Sequence, residues 1–196
     1  MNIVRIIGCG TVGSNLCLSL CKARMFQRIH LYDNDNVTYS ETSSFPFQEA
    51  YEGVPKVEAI DILLRSLGCN VNIYKHEQRV TSKFKANGFI IDCRDDKSEK
   101  ITSNMRVSLD GNALYIDCRK IYSKIVDWDE YTLERNPVYI DLAASLVTTF
   151  IAQGLYSQLN YVMYDLKRLF DDYIQITQDD INGINSDKGS SSKNNK

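Results

Sequence analysis

Ile3-Val4-Arg5-Ile6-Ile7-Gly8-Cys9-Gly10-Thr11-Val12-Gly13 is the stretch on which the fold turns. Ile3 to Ile7 is a short apolar run rich in isoleucine and valine, the pattern of a buried strand. Glycine then recurs at positions 8, 10 and 13. Gly8 permits the tight turn off the strand. Gly10 lets the backbone approach a phosphate or ribose closely. Gly13 lets a helix, expected from about Ser14 to Ala23, pack near the strand. The N–H groups and dipole at that helix start favour anionic phosphate.

Ile29-His30-Leu31-Tyr32 reads as a second strand, and Asp33 closes it, twenty residues beyond Gly13. A carboxylate at that point is placed to accept hydrogen bonds from ribose hydroxyls. Working outward, a polar loop runs from Asn34 to about Gly53. Pro55 then opens a helix over about 55–67, with Val57, Ile60, Leu63, Leu64 and Leu67 on one stripe. Val71 to Tyr74, Phe89 to Ile91 and Leu114 to Ile116 read as further strands, with a helix expected at about 97–108. Strands alternating with helices predict an α/β fold, a Rossmann-like and mostly parallel sheet flanked by helices. Residues 121–140 read as strand and loop around Trp128, with Pro137 breaking any helix. From Asp141 to about Ile176 the pattern is helical, as two helices meeting near Gly154. This C-terminal helical segment completes a domain over 1–178, and the Asn/Ser/Lys-rich stretch 179–196 reads as a disordered polar tail.

Composition narrows the function classes. The 196 residues are 43% hydrophobic and carry a net charge of -2, enough for a core and without a general pull on nucleic acid or anionic membrane. No apolar run reaches the roughly 18 residues that spanning a bilayer needs. The N-terminus turns glycine-rich too soon for a signal peptide. Six cysteines at 9, 17, 21, 69, 93 and 118 form no CxxC pair, which fits core packing and a reducing, cytoplasmic setting. The expected partners therefore exclude nucleic acid and membrane.

Three further strings carry a resemblance. Asp33-Asn34-Asp35-Asn36-Val37 follows the second strand, Gly53-Val54-Pro55-Lys56 opens the next helix, and Asp92-Cys93-Arg94-Asp95-Asp96 follows the fourth strand. In this order and spacing, across about residues 3–110, they resemble the ThiF/MoeB-type adenylyltransferases, relatives of the ubiquitin-activating enzymes. The resemblance implies binding of ATP and magnesium. It also implies transfer of AMP to the C-terminal carboxylate of a small ubiquitin-like or sulfur-carrier protein. By position, Gly8, Gly10, Gly13, Asp33, Asp35 and Asp92 would line the nucleotide site. Lys56 would contact the phosphates, and Asp95 would hold magnesium. Such proteins pair, so a homodimer or a paralogous subunit is expected.

The chain also departs from that family. Ser44 stands where an arginine reaches the phosphates, no N-terminal helix carries a second arginine, and the CxxC zinc pairs are absent. Arg94, beside the magnesium aspartate, is the best replacement cation. No thiol follows in an obvious crossover loop; Cys118 closes a strand, with an acceptor nucleophile the minor alternative for it. Losing such cations points to a second reading, a non-catalytic subunit of a heterodimeric activating enzyme. A third, an NAD-dependent oxidoreductase, explains the glycines and Asp33. It leaves Lys56 and the Asp92–Asp95 pair unexplained, and His30 and His76 make no obvious catalytic pair.

Overall fold

Alternate residues of adjacent strands share a face, and here they sort cleanly. The computed structural model describes residues 2–42, 46–95, 101–119 and 137–169. Its strands are β1 (Ile3–Ile7), β2 (Arg28–Asp33), β3 (Asn72–Glu77), β4 (Phe89–Asp92), β5 (Met105–Asp110), β6 (Ala113–Asp117) and β7 (Tyr161–Asp165). Its helices are α1 (Thr11–Lys22), the single turn α2 (Tyr39–Thr42), α3 (Lys56–Ser66) and α4 (Pro137–Ala152). The seven strands form one sheet in the order β3-β2-β1-β4-β5-β6-β7. Pairing is parallel from β3 through β5 and antiparallel where β6 and β7 are added.

Val4, Ile6, Ile29, Leu31, Phe89, Ile91, Met105, Val107, Leu114 and Ile116 belong to one buried core with Leu16, Leu20, Ile60, Leu64 and Val147 of the helices. Burying one such side chain is worth about 1.5–3 kcal/mol. The buried positions of α4, Ile140, Ala143, Ala144, Val147, Thr148 and Ile151, fall at helical spacing. Its two alanines allow a close approach, and α4 packs on α1, with the Thr148 hydroxyl 2.8 Å from that of Ser19. A smaller cluster of Ile7, Tyr32, Val80, Ile90 and Ile101, with Phe84 against it, covers part of the opposite face.

Three expectations are corrected. The helix over 97–108 gives way to β5 from Met105, because Met105, Val107 and Leu109 alternate with Arg106, Ser108 and Asp110, a period of two. Pro137 opens α4, since a helix's first position needs no N–H donor. Between Gly154 and Asp165 the expected helix gives way to a 3₁₀ turn (Leu155–Ser157) and then β7, where Tyr164 packs against the core and Tyr161, Met163 and Asp165 are exposed. Among the described residues, α4 is thus followed by an antiparallel strand, with 166–169 helical after it. Residues 43–45, with Ser44, lie outside the described residues, as do 96–100, 120–136 with Trp128, and the tail from 179.

Candidate nucleotide site

β1 lies inside the sheet with β2 on one side and β4 on the other, so the strand order reverses beside it. Open α/β sheets bind ligands at such a point, beyond the carboxyl ends of the strands. All the sequence-predicted residues lie there. Gly8 leaves β1 with φ +87° and donates its N–H to the Tyr32 carbonyl at 2.9 Å. A Cβ on Gly13 would lie 1.9 Å from the Gly8 carbonyl oxygen, so the helix can sit this close only with glycine there. Gly10 differs from both. A Cβ on it would meet no atom within 4 Å, and no side chain caps the start of α1. No packing among the described residues requires glycine at position 10. It leaves open space beside a helix N-terminus.

Asp33 ties the loop to β2. Its Oδ2 accepts the Cys9 N–H at 2.6 Å, and its Oδ1 accepts the Asp35 N–H at 2.8 Å. Burial raises the Asp33 carboxyl above its ordinary range, while these two N–H groups and the Lys56 charge pull it back. Each carboxylate oxygen has a second lone pair, the capacity a ribose diol would use.

Lys56 is delivered by a small antiparallel contact. Asn36 bridges Pro55, the Val37 N–H meets the Val54 carbonyl at 2.9 Å, and the Lys56 N–H meets the Asp35 carbonyl at 3.0 Å. The lysine is only 8% exposed. Its Nζ lies 2.8 Å from Glu41 Oε1 and 3.9 Å from Asp35 Oδ2. Burial disfavours the ammonium, but the bond to Glu41 and the charges of Glu41, Asp33 and Asp35 outweigh it and raise the Lys56 pKa. Glu41 was not singled out from the sequence. The available signal was Thr38-Tyr39-Ser40-Glu41, a capping-box string, and Glu41 Oε2 does accept the Thr38 N–H at 2.9 Å.

On the other side of the loop, a Cβ on Gly8 would come within 2.9 Å of the Arg94 backbone nitrogen. The Arg94 guanidinium forks onto buried Asp92, Nε to Oδ1 at 2.9 Å and Nη2 to Oδ2 at 3.1 Å, and Nη1 reaches the Val80 carbonyl at 2.9 Å. The second Ile-Asp-Cys-Arg string repeats this: Arg119 forks onto Asp117 at 2.9 and 3.0 Å. Asp95 is exposed just past β4. No three His, Cys, Asp or Glu side chains converge to hold a metal among the described residues. Magnesium commonly takes one or two carboxylates and completes its shell with phosphate and water, which suits a lone Asp95. Burial raises the Cys118 thiol to about 11, with the Asp117 charge adding to it, so little of it is thiolate at neutral pH. His30 and His76 lie within β2 and β3, their Nδ1 and Nε2 3.1 Å apart.

With this geometry in place, comparison decides the family. The ThiF family matches residues 3–111, more than half of the chain. The chain belongs to the ThiF family. No curated protein matches it in sequence. Among solved structures, E. coli MccB with MccA superposes with a TM-score of 0.64 at 13% identity, covering 83% of this chain and 60% of MccB. MccB with ATP gives a TM-score of 0.62 at 13% identity, covering 81% and 57%. PaaA gives 0.62 at 15% identity, covering 85% and 61%. At these identities the likeness is one of fold, and this ThiF-family chain spans about 60% of the length of those relatives. No helix among its described residues is long and apolar enough to cross a membrane.

Proposed function

We propose that this ThiF-family chain binds ATP on the Gly8–Gly13 loop and transfers AMP to a C-terminal carboxylate of a small ubiquitin-like or sulfur-carrier protein. The observation that carries the reading is the open backbone at Gly10, beside an uncapped helix start, with Asp33 at the end of β2 hydrogen-bonded to that loop and Lys56 beside Asp35. MccB structures hold ATP in one case and MccA in another, which supports an adenine nucleotide and a second, small substrate.

In this mechanism the amides at the start of α1 hold phosphate oxygens and Asp33 accepts from the ribose hydroxyls. Lys56 offsets charge as the carboxylate oxygen bonds to the α-phosphorus. The bond from that phosphorus to the bridging oxygen breaks, and pyrophosphate leaves with its electrons. Magnesium on Asp95 would supply Lewis-acid neutralisation of the leaving phosphates.

A second reading has a specific observation in its favour. Lys56 is paired with Glu41 and Arg94 with Asp92, so both neighbouring cations already face a carboxylate. An arginine from a second copy or a paralogous subunit would then complete the site. ATP–pyrophosphate exchange with a Gly-Gly-ending carrier tests both. Exchange by the lone chain supports the first reading, and exchange only with a partner supports the second. A melting temperature raised by NAD and not by Mg-ATP would overturn both.

A further inference from the structure

Glu41 makes two contacts with opposite consequences. Its Oε2 is fixed by the Thr38 N–H and hydroxyl, each at 2.9 Å, which holds the start of α2. Its Oε1 takes the Lys56 ammonium at 2.8 Å. Both side chains are largely buried, with 10% of Lys56 and 13% of Glu41 exposed. The lysine can swing away from this pair, but the carboxylate stays anchored through its other oxygen. Any phosphate that recruits Lys56 therefore arrives beside a fixed negative charge, with Asp35 Oδ2 also 3.9 Å from the same ammonium. Like charges at such separations in a partly desolvated site repel strongly.

We propose that Glu41 is a specificity-determining residue that sets the chain's affinity for the polyphosphate of its nucleotide by competing for Lys56. This rests on the ATP reading above. The nucleoside end, held by Asp33 and the glycine loop, is indifferent to Glu41. The phosphate end is penalised by it. Lys56 contributes to ATP binding only what remains after it leaves Glu41. A partner cation brought near Glu41 would relieve the penalty.

The test is calorimetric titration of the full chain and of Glu41→Gln with ATP and with adenosine, magnesium present. Glutamine keeps an acceptor for Thr38 and removes the charge. The affinity for ATP should rise about tenfold or more, with adenosine unchanged. Lys56→Ala should cost less ATP affinity in the parent chain, where the lysine must give up its bond to Glu41 in order to bind, than in Glu41→Gln. The ATP-to-adenosine affinity ratio is read within each variant, so a partly unfolded sample does not obscure it, and Glu41→Ala gives a second reading of that ratio. An unchanged ratio in both variants, with ATP bound by the parent chain, overturns the role of Glu41 and leaves the ATP reading standing. Absence of ATP binding in every chain overturns the ATP reading and this proposal with it.

Discussion

The carboxylate of Asp33 and the backbone N–H of Cys9 lie 2.6 Å apart, so the end of β2 holds the glycine loop in shape before any ligand arrives. Asp33→Ala should therefore do two things. It removes the proposed ribose acceptor and takes the Asp33 oxygen from the Cys9 amide. Affinity for ATP and AMP should fall together, by about tenfold or more, with a stability loss of roughly 1–3 kcal/mol. Titration with both nucleotides and chemical denaturation would check this. A loss confined to ATP would contradict the ribose assignment.

The three loop glycines should separate in a mutant series. Gly13→Ala places a methyl 1.9 Å from the Gly8 carbonyl oxygen, which no side-chain rearrangement relieves. It should cost roughly 3 kcal/mol or more by forcing α1 off the sheet. Gly10→Ala meets nothing within 4 Å and should fold with a near-normal melting temperature. Its methyl should nevertheless weaken nucleotide binding, since it fills the approach to the helix start. Equal nucleotide affinity in Gly10→Ala and the parent chain would show that the open space there is unused.

Asp95, exposed past β4, should matter only when metal is present. Asp95→Asn should flatten the magnesium dependence of ATP binding while leaving metal-free affinity and the melting temperature nearly unchanged. An unaltered magnesium titration would move the metal to another group.

The sheet face away from the helices carries an imidazole pair. The His30 and His76 rings are nearly parallel, 8° apart, with His30 Nδ1 and His76 Nε2 3.1 Å from each other. Burial, together with the charges of Arg5, His76 and Arg28, lowers His30 to about 4, and burial and Arg5 lower His76. Between the unfolded value near 6.5 and about 4, the unfolded chain binds a proton that the folded chain refuses. Stability should therefore fall as pH drops through that window. His30→Phe should flatten the melting-temperature profile from pH 7 to pH 4. Parallel profiles would assign the slope to other groups.

What the sequence made legible was local. The glycine turn, Asp33 and the Lys56 helix follow from short strings whose geometry is set by neighbours in the chain. The twin Ile-Asp-Cys-Arg strings likewise read as one local solution, and both fold into the same Asp–Arg fork. β7 was obscured because Val162, Met163 and Leu166 fall at spacings that suit a helix as well as a strand, and pairing with β6 settles the matter. Glu41 was hidden for a different reason. Its capping string is visible, but its second contact depends on Asn36 meeting Pro55 across the loop.

The packing of α4 on α1 has a consequence for how the chain is made. Everything that shapes the nucleotide loop has been synthesised by Arg94, yet one side of α1 has no cover until residues 137–152 emerge, and Ser19 must wait for Thr148, 129 positions later. The stretch that carries the family signature, 3–111, is thus not the stretch that closes its own core. A nascent chain stalled before α4 should expose the Ser19 side of α1 to chaperones and proteases. Limited proteolysis of ribosome-bound chains of increasing length would show protection of α1 arriving only after α4 has left the exit tunnel.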